Sequence, residues 1–400
     1  MQSTLRPLAG LPEPAPEALA ASRTLAGRIG AAIEAAGGAI GFSRFMELAL
    51  YEPGLGYYSG GARKFGADGD FTTAPELTPL FGHTLACTLA PVMREAGGEL
   101  VELGAGTGRL ACDLLDALQA LGALPARYSI LELSGELRAR QQAAIAGRHP
   151  ALLDRVRWLD ALPDAVDGAI VANEVLDVVP VRLVHWTAEG PVERCVGLGP
   201  ADPGTGTRPF TWTDRPFAGP DLAGVVARLP IPDGMAGYVS EVAPAAAALA
   251  ASLVERLRTG IALFIDYGFG RAEFYHPQRR QGTLMCHYRQ HAHADPFFLP
   301  GLQDITAHVD FTAIAEAAIA AGGRLAGYTT QAHFLLDAGI AGLLSRTPAD
   351  QPARYLPQAA AVQRLLSPAE MGELFKVMTI TRGCDLVLPG LGARDLSRLL

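Results

Sequence analysis

The 400-residue sequence lacks several features that would restrict its class at once. Its five cysteines are scattered and include no Cys-x-x-Cys pair, so we expect neither a disulfide framework nor a zinc ribbon. No apolar run approaches the roughly 18 residues that cross a bilayer, and the N-terminal segment has no continuous apolar stretch like that of a signal peptide. We therefore expect a cytoplasmic protein with no membrane segment.

Basic charge is also scarce. The chain has 33 Lys and Arg against 41 Asp and Glu, a formal net charge of -8 at pH 7. Proteins that bind nucleic acid gain much of their affinity by neutralising phosphates. We therefore expect no nucleic-acid partner, and an acidic balance suits a cationic partner better.

Hydrophobic patterning divides the chain into three stretches. Residues 1–28, rich in Pro and Ala, predict a flexible arm, and residues 29–97 predict a helical prefix in which Thr73 and Glu76 form a capping box before a helix that runs to about Met93. Residues 98–400 alternate strand and helix patterns, which predicts an α/β, Rossmann-like domain with a mostly parallel sheet. Insertions at about 181–242, which is β-rich, and 342–370 interrupt this pattern. Seven buried strands are predicted: ELVELG, RYSILEL, RVRWL, GAIVAN, ALFIDYG, RLAGYTT and VMTITRG.

The segment ELVELGAGTGR, residues 99–109, carries the main functional motif. A buried strand runs into Gly104, Gly106 and Gly108 and then into a helix, and glycine is needed where a backbone turns sharply or touches a ligand. Dinucleotide loops have the spacing G-x-G-x-x-G, whereas the spacing here is G-x-G-x-G after the acid Glu102. This pattern is typical of S-adenosylmethionine loops, and it makes a nicotinamide-dependent dehydrogenase the weaker interpretation.

Two acids follow the next two strands. Glu132 ends the second strand, where a carboxylate can accept both ribose hydroxyls of a nucleotide, and Ser134 is placed to cap the next helix. Asp160 follows the third strand, where methyltransferases often contact the adenine amino group. The structural alternatives are a solvated strand end for Glu132 and a turn residue before Pro163 for Asp160.

Eight segments in order resemble the MidA-like family of methyltransferases, which is related to the mitochondrial arginine methyltransferase that assists assembly of respiratory complex I. They are SRFMELALYEPGLGYYS, GDFTTAPELTPLFG, ELGAGTGRL, LELSGELRARQQ, ANEVLDVVPV, FIDYG, DITAHVDF and QAHFL. Ala105 departs from the proline that the family often carries, and Val175 from its usual aromatic residue. The resemblance implies a class I methyltransferase fold, S-adenosyl-L-methionine as methyl donor, and an arginine of a protein partner as acceptor. In the mitochondrial relatives the acceptor is a subunit of NADH:ubiquinone oxidoreductase.

The segment ANEVLD at the end of the fourth strand is the predicted acceptor site. Carboxylates can bind a guanidinium bidentately and localise its charge on the nitrogens that do not react, and Glu174 and Asp177 are placed to do so. Asn173 resembles the residue that accepts a hydrogen bond from the target nitrogen in amino-group methyltransferases, and we expect it to contact the cofactor too. The alternative is that Asn173 and Asp177 cap the next helix while Glu174 faces water.

In the prefix, Asp70 and Thr72 precede a predicted helix N-terminus that can bind the cofactor carboxylate. A purely structural turn is the alternative.

The run His287, His291 and His293 invites a metal interpretation, but no second cluster with ligand spacing accompanies it. We expect no metal and interpret the run as a substrate-facing loop. A small-molecule methyltransferase and a cofactor-binding assembly factor without turnover remain open beside the arginine methyltransferase, and the β-rich insertion leaves a homodimer open.

Overall fold

A computed structural model describes residues 10–60, 73–204, 206–232, 234–392 and 394–400. Its helices are α1 (Pro16–Ala35), α2 (Phe42–Tyr51), α3 (Ala74–Leu77), α4 (Pro79–Ala96), α5 (Arg109–Ala120), α6 (Gly135–Arg148), α7 (Pro220–Val226), α8 (Pro244–Arg256), α9 (Arg271–Phe274), α10 (Phe311–Ala320), α11 (Gln331–Asp337), α12 (Ile340–Leu344) and α13 (Pro352–Leu366). Its strands are β1 (Ala39–Gly41), β2 (Glu99–Leu103), β3 (Arg127–Leu131), β4 (Val156–Leu159), β5 (Val166–Asn173), β6 (Arg182–Thr187), β7 (Gly190–Leu198), β8 (Phe210–Arg215), β9 (Tyr238–Val242), β10 (Leu257–Phe269), β11 (Met285–Tyr288), β12 (His291–His293), β13 (Asp304–Thr306), β14 (Val309–Asp310), β15 (Arg324–Thr330) and β16 (Phe375–Arg382).

The described residues form two compact units. Of the described residues, the antiparallel unit takes those in 10–60, 178–246 and 271–308, and the parallel-sheet unit takes those in 73–177, 247–270 and 309–400. Within the described ranges, we find no helix with the length and apolar character that a membrane crossing requires.

The parallel-sheet unit is built on seven strands in the order β15-β16-β10-β5-β2-β3-β4, and the short β14 adds to β10. Strands β4, β3, β2, β5 and β10 pair in parallel, whereas β16 runs antiparallel to both of its neighbours. The predicted mostly parallel seven-stranded sheet is confirmed. Because parallel strands end at a common edge, the loops after β2, β3, β4, β5 and β10 are brought to one side of the sheet.

Burial inside this unit explains why its strands can be predicted from the sequence. All five residues of β2 are buried, as expected for a central parallel strand covered by helices on both faces.

Ser134 caps α6 as predicted, since its hydroxyl accepts a hydrogen bond from the Leu137 amide at 3.4 Å.

The prefix differs from its prediction at Pro79. The expected single helix is divided into α3 and α4, and Thr78 between them is extended, with φ -163° and ψ 143°. Proline disfavours the helical conformation of the residue before it, which explains the break. Thr78 then caps α4 by accepting a hydrogen bond from the Leu80 amide at 3.2 Å, whereas Thr73 makes no such side-chain bond.

The antiparallel unit combines the early prefix with the β-rich insertion. Its main sheet has the order β1-β7-β6-β9, with β8 paired to β7, and a smaller sheet has the order β12-β11-β13. The prefix therefore does not form one body: residues 73–96 belong to the parallel-sheet unit, and residues 29–60 belong to this one.

The predicted flexible arm over residues 1–28 is wrong from Pro16 onward, where α1 begins. Leu25, Ile29 and Ile33 are fully buried along one face of α1. This four-residue spacing gives the helix an apolar stripe, and burial of that stripe stabilises it.

Candidate active site

The glycine loop after β2 takes the conformation that its spacing predicts. Gly104, Gly106 and Gly108 have φ values of 59°, 53° and 84°, all in the left-handed region that favours glycine. A Cβ on Gly108 would lie 3.1 Å from the Cα of Gln141, whereas a Cβ on Gly106 would have no described atom within 4 Å. Gly108 thus packs closely against α6, while the backbone at Gly106 is open to a ligand.

Glu132 lies at the end of β3 and is 6% exposed. Its carboxylate accepts hydrogen bonds from the Ser134 amide and from Nε2 of Gln141, both at 2.9 Å. Burial raises the pKa of Glu132, and these two hydrogen bonds act against that shift. Each carboxylate oxygen retains a further lone pair for a ligand hydroxyl.

Gln141, which the sequence interpretation missed, connects the glycine loop to this acid. Its Nε2 donates to the Gly106 carbonyl oxygen at 3.0 Å as well as to Glu132, and its Oε1 accepts from the Trp158 indole at 2.9 Å. A sequence signal exists, because Gln141 continues the four-residue spacing of the buried Leu137 and Ile145. A polar residue on the buried face of a helix requires hydrogen-bond partners.

Glu102 lies inside the unit and is 2% exposed. Its Oε2 accepts a hydrogen bond from the Tyr128 hydroxyl at 2.6 Å. The pKa of Glu102 is raised to about 7: burial is the largest cause, the Tyr128 bond acts against it, and the negative charge of Glu132 adds to it. The described contacts make Glu102 a buried partner of Tyr128, and its predicted contact with the cofactor stays a prediction.

Asp160 lies after β4 with a side chain that is 91% exposed. Its carboxylate pairs with Nη1 of Arg138 at 2.8 Å, and the same guanidinium donates to the Glu132 carbonyl at 2.8 Å and to the Leu159 carbonyl. Asp160 is therefore linked to the Glu132 region through Arg138, and its contact with an adenine stays a prediction. Leu133, which the sequence interpretation also missed, is 75% exposed directly beside Glu132 and offers an apolar surface there.

The predicted acceptor residues come together after β5. Asn173 Nδ2 donates to Oε1 of Glu174 at 3.2 Å, and the buried Oδ1 of Asn173 has no hydrogen-bond partner among the described residues. Glu174 is half-buried, whereas Asp177 is 4% exposed and accepts a hydrogen bond from the Tyr267 hydroxyl. Glu174 is thus the more accessible of the two carboxylates, and Asp177 is buried. The predicted helix after this segment is absent from the described residues 174–181.

Asp266 of β10 adds a third acid at this edge of the sheet. It is 1% exposed, and its Oδ2 accepts from the amides of Leu176 at 2.9 Å and Asp177 at 3.2 Å. Burial first, and then the charges of Asp177 and Glu174, raise the pKa of Asp266 well above its usual range. The ends of β5 and β10 therefore bring three carboxyl groups together, of which Asp266 favours its neutral form.

Two predicted cofactor residues, Asp70 and Thr72, lie outside the described residues. Glu76 of α3 is a described prefix residue that reaches the glycine loop. Its Oε1 accepts a hydrogen bond from the Thr107 hydroxyl at 2.5 Å. The capping box predicted for Glu76 is wrong in its partner, because this acid binds the loop threonine.

The histidine run forms a hairpin in the antiparallel unit. Cys286 pairs with His293, and His287 pairs with Ala292, across β11 and β12. Within the described ranges, these histidines belong to no group of three or more side chains spaced to share a metal ion.

One described group does have such spacing: His83, Asp113 and Asp116. Its carboxylates are already engaged, however. Arg148 donates to Asp113 at 2.7 Å and also pairs with Asp116. Ion pairing therefore accounts for this group, and it supports no metal assignment.

Comparisons with known proteins agree with this geometry. Residues 83–329 match the profile of a family of S-adenosyl-L-methionine-dependent methyltransferases. The chain belongs to this family. A Burkholderia thailandensis protein crystallised with S-adenosyl-homocysteine has 51% sequence identity and a TM-score of 0.92, over 98% of this chain and 100% of that one. A native crystal structure of a protein from the same organism gives 50% identity and a TM-score of 0.90, with the same coverage.

Curated relatives are more distant. The mitochondrial protein arginine methyltransferase NDUFAF7 of Danio rerio is 28% identical over 86% of this chain and 83% of its own length. The Caenorhabditis elegans homologue is 27% identical over 77% of this chain and 75% of its own length. These matches confirm the resemblance to the MidA-like family and the class I methyltransferase fold, with S-adenosylmethionine as the cofactor.

The residues of the parallel-sheet unit fit this cofactor. The open backbone at Gly106 and the acid Glu132 at the end of β3 are each suited to its polar groups. S-adenosylmethionine, when bound, supplies a methyl group activated by a positively charged sulfur. The protein must then align an electron-rich atom with that methyl group, exclude competing water and remove the proton released from the acceptor.

Proposed function

We propose that this methyltransferase transfers the methyl group to an arginine side chain of a protein partner. The observation that carries the proposal is the accessible carboxylate of Glu174 together with the carboxyl of Asp177 at the end of β5, both close enough to Asp266 to raise its pKa. A guanidinium remains protonated below about pH 12, so it is attracted to these carboxylates.

The geometry suggests how the reaction proceeds. Glu174 binds the non-reacting nitrogens of the guanidinium through its accessible carboxylate. This contact localises the positive charge on those nitrogens and leaves the reacting nitrogen richer in electrons. The unpartnered Oδ1 of Asn173 accepts a hydrogen bond from that nitrogen and orients it. Asp177 contributes a second carboxyl group at the same end of β5. The proton lost from the guanidinium on methylation passes to one of these carboxylates or to water.

The names of the curated relatives support the same acceptor. Both the Danio rerio and the Caenorhabditis elegans proteins are called protein arginine methyltransferases. The identity of the protein partner, a homodimer and a cytoplasmic location stay predictions.

Binding of a matched pair of peptides tests the proposal. One peptide contains arginine, and the other contains citrulline, which has the same shape without the charge. With S-adenosyl-homocysteine present, calorimetry should give at least about tenfold tighter binding of the arginine peptide, because charged hydrogen bonds are worth about 1.5–3 kcal/mol. Glu174→Gln should remove most of this preference, whereas Glu136→Gln on α6 should keep it. Equal affinity for both peptides in the wild type would contradict an acceptor site for arginine and would favour a small neutral acceptor.

A further inference from the structure

The segment Asn173–Asp177 holds an unusual backbone conformation. Glu174 has φ 53°, in the left-handed region that residues with a Cβ rarely adopt. Such a conformation persists only when its surroundings fix it, and it is common at sites where a side chain must be aimed.

The contacts that fix this segment come from three consecutive residues of β10. The Glu174 amide donates to the Ile265 carbonyl oxygen at 2.8 Å. The amides of Leu176 and Asp177 both donate to Oδ2 of Asp266, at 2.9 and 3.2 Å. One oxygen that accepts two successive amides determines the direction of the chain after the strained residue.

Tyr267 completes the arrangement. Its amide donates to Oδ1 of Asp266 at 2.9 Å, which orients that carboxyl group. Its hydroxyl donates to Oδ2 of Asp177. The Tyr267 ring packs edge-on against Phe375, with ring centroids 5.3 Å apart, so the hydroxyl is held in place.

We infer that Asp266 and Tyr267 are positioning residues that fix the Asn173–Asp177 segment and so aim Asn173 and Glu174 at the methyl acceptor. This inference rests on the proposed function for the nature of the acceptor. Neither residue needs to contact the acceptor. Each acts through the backbone or side chain of the segment, and loss of either misaligns the acceptor without weakening cofactor binding.

The test combines kinetics with hydrogen exchange on the full-length protein. Methyl transfer from S-adenosylmethionine to the arginine peptide is measured for Tyr267→Phe, Asp266→Asn and Asp266→Ala, with Tyr355→Phe in α13 as the matched control. Tyr267→Phe keeps the ring and loses one hydrogen bond, so kcat should fall about tenfold. Asp266→Ala should lower kcat about 100-fold, the cost of about 1 Å of misplacement.

Two readouts separate positioning from general damage. S-adenosyl-homocysteine affinity should stay within about threefold of the wild type, because the cofactor residues are not altered. Asp266→Asn should recover part of the activity lost in Asp266→Ala, because its amide oxygen still accepts from the two segment amides. Tyr355→Phe should behave as the wild type.

Amide hydrogen exchange of residues 174–177 provides a measurement that does not depend on the acceptor. Exchange should rise in Asp266→Ala and, less strongly, in Tyr267→Phe. Unchanged exchange in both variants would overturn the inference, and so would faster exchange with unchanged kcat. If the wild type does not methylate the arginine peptide, the proposed function fails, and the exchange result then decides the inference by itself. If Asp266→Ala does not fold, Tyr267→Phe decides both measurements.

Discussion

Replacement of Glu132 with glutamine gives the most exacting test of the cofactor site. In the wild type, Ser134 donates to one carboxylate oxygen and Gln141 to the other, both at 2.9 Å. Each oxygen can accept one ribose hydroxyl in addition. A glutamine has one acceptor oxygen, so one ribose bond is lost, and its NH₂ group must face a hydrogen-bond donor of the protein.

The magnitude follows from these contacts. A hydrogen bond to a charged group is worth about 1.5–3 kcal/mol. The glutamine NH₂ group also faces an N–H donor of the protein, and this unfavourable pair adds to the loss of binding free energy. We expect a loss of about 3 kcal/mol, which is a rise of about 100-fold in the Kd of S-adenosyl-homocysteine. Calorimetric titration measures this change directly, without the need for an acceptor.

The matched control is Glu136→Gln. Glu136 lies in the first turn of α6, is partly exposed, and pairs at 3.5 Å with Arg140 on the surface. Surface pairs contribute little, so the Kd should change less than about twofold. A change of less than about fivefold in Glu132→Gln, with the protein folded, would refute the ribose assignment.

Three further predictions concern the buried surroundings of the site. Gly106→Ala should lose most S-adenosyl-homocysteine affinity in calorimetry while the fold loses only about 1–2 kcal/mol, the cost of a left-handed alanine; retained affinity would place the ligand away from this loop. Gly108→Ala should lower the Tm more than Gly106→Ala does, because its Cβ would lie 3.1 Å from the Gln141 backbone; equal Tm values would contradict the packing role. Burial raises the pKa of Glu102 from 4.5 to about 7, so its ionisation destabilises the fold as pH rises through that interval, and the cost is complete above it. Glu102→Gln should therefore gain about 2.5 kcal/mol relative to the wild type between pH 5 and pH 8 in urea unfolding; parallel pH profiles would show that this carboxyl is not buried as described.

The strands and the cofactor loop could be predicted because their signals are local. Buried parallel strands are continuous apolar runs, and all seven predicted segments correspond to strands of the sheet. The left-handed turns at Gly104, Gly106 and Gly108 follow from residue type and spacing alone. The same holds for the Ser134 cap.

Other features depend on contacts between distant parts of the chain. Asp266 binds the amides of residues about 90 positions earlier, and only the pairing of β5 with β10 brings them together. The pairing of β1 with β7 likewise assigns the early prefix to the antiparallel unit, which no local pattern could indicate. The break at Pro79 could have been predicted from the sequence, since proline disfavours a helical backbone at the preceding residue, Thr78.

Product analysis of methyl transfer tests the central claim most directly. The wild-type protein is incubated with S-adenosylmethionine bearing a deuterated methyl group and with the arginine peptide, and tandem mass spectrometry locates the label. The account predicts label on a guanidinium nitrogen, strongly reduced in Glu174→Gln and unchanged in Glu136→Gln. Label on another side chain, or equal labelling of arginine in Glu174→Gln, would contradict it.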